Sequence, residues 1–66
     1  MTYSTRELYR SLIDKYDYDY HEEDDYNRDE YIAYLDRLNS VEILYEFLDV
    51  YGLDDESEVE ANIGYY

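Results

Sequence analysis

Arg28-Asp29-Glu30-Tyr31-Ile32-Ala33-Tyr34-Leu35-Asp36-Arg37-Leu38-Asn39-Ser40-Val41-Glu42-Ile43-Leu44-Tyr45-Glu46-Phe47-Leu48-Asp49-Val50-Tyr51 reads in two ways, and the choice decides the fold. Tyr31, Tyr34, Leu38, Val41, Tyr45 and Leu48 recur at spacings of 3, 4, 3, 4 and 3. That is a heptad seam, which one unbroken helix over 28–51 would present to a second copy. The other reading breaks the chain at Asn39-Ser40. Both residues are mediocre inside a helix because their side chains compete for the backbone, and both are good at its start. Ser40 is then the expected cap of a further helix, with Glu42 in its first turn. Tyr31, Ile32, Leu35 and Leu38 stripe the helix before the break. Leu44, Phe47, Leu48 and Tyr51, helped by Val41, stripe the one after it. The broken version lets a short monomer fold back on itself and build a core, so it is the one adopted here; the unbroken one would favour a dimer.

Upstream, Met1 to Tyr3 is a lead-in. Ser4-Thr5-Arg6-Glu7 matches a capping box, and Tyr3 with Leu8 stands where a hydrophobic staple forms. Leu8, Tyr9, Leu12, Ile13 and Tyr16 share a helical face, while Arg10 and Asp14 are in pairing register on the other side. These signals predict a helix from Thr5 to about Lys15. From Tyr16 to Tyr20, tyrosine and aspartate alternate with period two, a strand signal with no partner strand; an extended loop is expected, continuing through His21-Glu22-Glu23-Asp24-Asp25. Asn27 or Asp29 is the expected cap of the second helix, with Asp29 and Glu30 at the positive end of its dipole. Downstream, Gly52 is a helix stop and Leu53 the apolar residue that follows such a stop. Val59 and Ile63, four apart, predict a short docked helix in an otherwise acidic tail that ends in Tyr65-Tyr66. The expected fold is all-α: a small three-helix bundle in a single domain, 1–66, with an acidic loop after the first helix and a short C-terminal helix.

Nineteen acids face five bases, for a formal net charge of −14. Residues 1–16 carry Arg6, Arg10 and Lys15 against Glu7 and Asp14, a net of +1; the remaining 17 acids face only Arg28 and Arg37, a net of −15. High charge with few aromatics would mean disorder, but 12 tyrosines and a phenylalanine argue for a folded chain. Such a surface repels nucleic acid and anionic lipid and attracts basic proteins. No apolar run is long enough to span a membrane, no basic start leads into an apolar core as in a secretory signal, and cytosolic residence is the default expectation. With no cysteine, the fold has no disulfide to lean on.

Enzyme chemistry finds little footing. His21 is the single histidine, there is no thiol, the serines have no nucleophile-elbow context, and the two glycines form no phosphate loop. A calcium loop counted from Asp19 reaches Glu30 at its twelfth position, but has Asp24 where glycine is required and His21 at its third. No cofactor, catalytic residue or metal site is therefore expected.

What remains is the acid–tyrosine stretch from Asp14 to Glu30. Charges this crowded disfavour a compact state, which suggests a use for them. Tyrosine offers a rigid ring and a hydroxyl at an interface; lysine and arginine in a nucleic-acid groove can pair with carboxylates and lie over rings. Asp17, Asp19, Glu22, Glu23, Asp24 and Asp25 are the candidate partner-binding acids. Asp29, Glu30 and Asp36 extend the track, and Tyr18, Tyr20 and Tyr26 are its tyrosines. In size, charge and segments such as Tyr16–Asp25 and Asp54–Glu60, the chain resembles the small, acidic, mostly helical DNA mimics of phages and mobile elements: anti-CRISPR proteins, antirestriction proteins and inhibitors of DNA-repair enzymes. That resemblance implies an inhibitor in the host bacterial cytoplasm. It would fill the basic DNA- or RNA-binding groove of a nuclease complex, most of all a CRISPR effector, without touching nucleic acid itself. The alternative is a helical interaction module, an antitoxin-like regulator docking through Leu44, Phe47, Leu48 and Tyr51.

Overall fold

The computed structural model describes residues 3–64, so Met1, Thr2 and the closing Tyr65-Tyr66 lie outside the described residues. It is an all-α bundle of three main helices and a short fourth: α1 (Thr5–Tyr20), α2 (Arg28–Asp36), α3 (Ser40–Tyr51) and α4 (Val59–Asn62), with a 3₁₀ turn at Glu56–Glu58 leading into α4. Each long helix starts on a side-chain cap. Ser4 accepts from the Glu7 N–H at 3.3 Å, and Asn27 from the Glu30 N–H at 3.0 Å. The break falls where expected, but one residue early. Asn39, not Ser40, is the N-cap of α3: its side chain accepts from the Glu42 N–H at 2.9 Å, and the Glu42 carboxylate accepts from the Asn39 N–H at 3.0 Å. This reciprocal box satisfies two orphan donors at once, which a serine at the next position could not do with Glu42 only two residues on. α3 ends on Gly52 at φ 68°, and Leu53 N–H reaches back to the Leu48 carbonyl at 2.8 Å in a Schellman closure.

Leu8, Leu12 and Ile13 of α1, Leu35 of α2, Ile43 and Phe47 of α3 and Val59 of α4 form the core. The expected stripe of α3 packs on the core: Phe47 is fully buried, with Leu44, Leu48 and Tyr51 against it. It gains the buried Ile43 and loses Val41, which is 55% exposed, and Tyr45 of the heptad seam is 63% exposed. Packing against α1 selects the Ile43–Phe47 row (i, i+4) over the heptad row, and Phe47 stacks on Tyr51 with ring centroids 4.1 Å apart. Phe47 is fully buried, so of the apolar face built on Leu44, Phe47, Leu48 and Tyr51 only the half-buried Leu44, Leu48 and Tyr51 keep surface.

The tail is tied down from both ends. Val59 is fully buried, and the Gly64 N–H donates to the buried Ser11 hydroxyl at 3.0 Å. Tyr3 packs on the core and its hydroxyl donates to Glu56 at 3.2 Å.

The largest departure is at the end of α1. Tyr16 to Tyr20 is not an extended loop but the last turns of the helix, which runs five residues beyond Lys15. A helix brings Tyr16 and Tyr20 together (i, i+4), with ring centroids 5.2 Å apart, and puts Lys15 Nζ 3.1 Å from Asp19. It also aims Tyr16 at Tyr31 of α2. The expected Arg10–Asp14 pair is not among the ion pairs of the described residues. His21, expected in the acidic loop, is the residue that closes the helix. Its N–H bonds the Asp17 carbonyl at 3.1 Å, and its ring Nδ1 lies 3.0 Å from the same oxygen.

Candidate functional site

Tyr16 and Tyr31, expected on core stripes, and Tyr20 and Tyr26, expected on the surface track, belong to one array. Tyr16 stands at its centre, 4.5 Å from Tyr31 and 5.4 Å from Tyr26, both stacked, and 5.2 Å from Tyr20. Tyr31 continues to Tyr34 at 6.0 Å. Offset stacking holds the array together, and each hydroxyl that turns inward finds an acceptor. Tyr26 donates to Asp17 at 2.6 Å, while Tyr31 and Tyr34 both donate to Glu46, at 3.1 and 3.2 Å. Burial, followed by the Glu46 charge, pushes the Tyr31 hydroxyl far above its ordinary value. The Glu46 charge leads the same upward shift at Tyr34. Both stay neutral donors throughout the physiological range.

Tyr16, Tyr20, Tyr31 and Tyr34 of this array line two adjoining clefts. The larger, about 540 Å³, runs between α1 and α3 with Asp19, Asp25, Glu46 and Asp49 around it. The smaller, about 380 Å³, lies beside α2 and adds Glu30. Tyr16, Asp25 and Tyr31 line both, so the clefts share a wall and the carboxylates along them form one concave, tyrosine-floored track.

Only part of the expected set meets here. Asp19, Asp25, Glu30 and Tyr20 line the track. Glu22, Glu23 and Asp24 are exposed on the turn after α1, and Asp29 is exposed at the start of α2. Tyr18 is 62% exposed on the last turn of α1. Asp17 is engaged inside the fold: Arg28 Nε donates to it at 2.9 Å and Tyr26 from the other side. Burial alone would raise its carboxyl; the bonds from Tyr26 and Arg28 outweigh that and hold it below the usual value. Asp36 accepts from the Tyr9 hydroxyl at 2.7 Å, which ties α2 to α1 and raises the tyrosine's pKa. Tyr34, Glu46, Asp49 and Lys15 are members that the sequence reading missed. Their signal was present as Tyr31/Tyr34 and Glu46/Asp49 at i, i+3, the spacing that puts two residues on one helical face.

Among the described residues, no group of three or more acidic or histidine side chains is set to hold a metal ion. No described helix is long and apolar enough to cross a membrane. Comparison with protein-family models, with curated proteins and with solved structures gives no match.

Proposed function

We propose that this protein is a nucleic-acid mimic, an inhibitor of the anti-CRISPR or antirestriction kind. It occupies the basic groove of a nucleic-acid-processing enzyme in a bacterial cytoplasm, as a binding protein and not a catalyst. The observation that carries the reading is the continuity of the acid-lined track across two clefts, from Asp49 and Glu46 through Asp19 and Asp25 to Glu30. Charge density supports it. The longest axis is 36 Å, so a net 14 charges amount to one per about 2.6 Å (36/14). Duplex DNA carries one per ~1.7 Å and a single strand one per ~3.4 Å. The protein falls between them, which suits a groove that grips either. The acids on the exposed turn, Glu22, Glu23 and Asp24, would extend the field toward the partner.

A second reading is favoured by Val41 and Tyr45, four apart and both exposed on α3: a helical module that docks by apolar contact. One experiment separates the two. The tagged protein is immobilised, a bacterial lysate is passed over it, and the column is developed at constant ionic strength with oligonucleotide. On the mimicry reading, the retained proteins are displaced by oligonucleotide and also elute in a salt gradient. A variant with Glu22, Glu23, Asp24 and Asp25 changed to lysine then retains none of them while keeping its helical circular dichroism. Retention that ignores both oligonucleotide and salt would favour the apolar module and remove the support for mimicry.

A further inference from the structure

We infer that the outer face of α3 receives one basic amphipathic helix of a partner protein, which lies along it as a further helix of the bundle. The inference deepens the second reading above, that of a module docking by apolar contact, and rests on it for the existence of a partner. It holds whether or not the acids imitate phosphates.

Helical periodicity puts Val41, Leu44, Tyr45 and Leu48 (i, i+3, i+4, i+7) on one face of α3. Val41 and Tyr45 are exposed, and Leu44 and Leu48 are half-buried, so this apolar strip reaches from the edge of the core into solvent. The four positions have the anchor spacing of a helix that meets another along its length. The Ile43–Phe47 row that packs on α1 is on the far side, so a partner can cover the strip without disturbing the core. α3 has 12 residues, which makes the strip ~18 Å long at ~1.5 Å per residue, the length of three to four turns of a partner helix.

Charge decides what kind of helix fits. Glu42 and Asp49 are exposed and flank Tyr45 at i−3 and i+4, which makes one edge of the strip acidic. Neither is in an ion pair among the described residues. After Arg37 the chain has eight acids and no base, so neither α3 nor the tail can bring a cation to that edge. A second copy fits badly. It would set the same acidic edge and a net −14 against an equal charge, and like charges juxtaposed across an interface are costly. A helix with an apolar stripe and lysines or arginines beside it matches both features: it covers Val41 and Tyr45, and its cations meet Glu42 and Asp49.

The probe is a capped ~14-residue peptide with leucines at helical spacing and lysines elsewhere, long enough to span α3. Its control has the same residues reordered so that the leucines share no face. The full chain is titrated with each at constant ionic strength, while methyl and ring resonances are followed by NMR. The striped peptide is expected to shift Val41 and Tyr45 saturably and to bind at least about tenfold tighter than the control. The control, held by charge alone, should shift the exposed Tyr18 ring of α1 as much as that of Tyr45. Val41→Ser with Tyr45→Ser should erase the preference without loss of helical circular dichroism, since both side chains are exposed. Glu42→Gln with Asp49→Asn should weaken the striped peptide by about two- to fivefold; glutamine still accepts from the Asn39 N–H. Equal binding of the two peptides, or a preference that survives the serine variant, would overturn the inference. So would shifts at Val41 and Tyr45 that grow with protein concentration in the absence of peptide, which would give the face to a second copy. The docking reading itself is judged separately. It stands if lysate proteins retained in high salt are lost with the serine variant, and falls if that variant retains them all.

Discussion

Asp17 shows how far the role of a single residue can be read from sequence. It stands in the middle of an Asp–Tyr alternation and is indistinguishable from Asp19 by composition, yet its carboxylate is held by Tyr26 and Arg28 while Asp19 lines the cleft. The difference arises from residues nine and eleven positions downstream, which no local pattern encodes. The same is true of Tyr26, expected at the partner face and found stacked on Tyr16. Because the Asp17 carboxyl is held below its ordinary value, the stability it contributes is complete above the unfolded value of ~3.9 and is lost as pH falls through the lower folded value. Asp17→Asn should therefore melt below the parent at pH 7. The gap should narrow toward pH 2, as the parent's carboxyl takes up its proton and comes to present nearly the shape of the amide. Melting curves by circular dichroism at both values check this. A gap of the same size at pH 2 would mean that Asp17 acts through packing and not through its charge.

Helices were legible where a cap and a 3.6-residue stripe agreed, and ambiguous where two periods overlapped. The starts of α1 and α2 and the glycine stop of α3 carried both kinds of signal; the Val59–Ile63 dock carried the spacing alone, and α4 has no side-chain cap. Over Tyr16–Tyr20, five residues satisfy period two and a helical i, i+4 pair equally; contacts with Tyr26, Arg28 and Tyr31 decide for the helix. In α3 the consecutive apolar pair Ile43-Leu44 allowed two registers, and the heptad seam pointed to the one the core rejects. The turn at Asn39 is the element on which the bundle depends, because an unbroken helix would carry Phe47 away from α1. Asn39→Ala removes the side-chain half of the capping box and leaves Glu42 only its bond from the residue 39 N–H. It should cost about 1 kcal/mol, a fall in Tm of ~4–8 °C for a chain of this size. In one continuous helix the same change would gain up to ~0.7 kcal/mol, since alanine is the better helix former. Thermal melting of the variant thus gives opposite signs for the two architectures.

For the molecule as a whole, the physics is dominated by repulsion confined in a small volume. Its extents are 36 × 22 × 17 Å, so at 0.01 M salt, where the Debye length is ~30 Å, nearly every pair of charges interacts. Two like charges ~20 Å apart in water repel by ~0.2 kcal/mol, and 14 net charges make many such pairs. Unfolding relieves much of this, because the radius of gyration grows from 11.6 Å to ~25 Å. Salt should therefore stabilise the fold: a rise in Tm of about 10 °C or more between 0.01 M and 0.5 M sodium chloride is expected, most of it gained by 0.15 M, where the Debye length is already ~8 Å. Choline chloride should act equally at equal concentration, because screening depends on ionic strength and not on the identity of the ion. A Tm that is flat in salt would mean that the acids are already neutralised by their neighbours, and a response to sodium alone would mean a discrete ion site. The same reasoning links stability to function. A partner's basic groove would supply fixed cations where salt supplies mobile ones, so binding should relieve the same repulsion, and the gain in Tm on complex formation should be largest in the salt-poor buffer where the free protein is weakest.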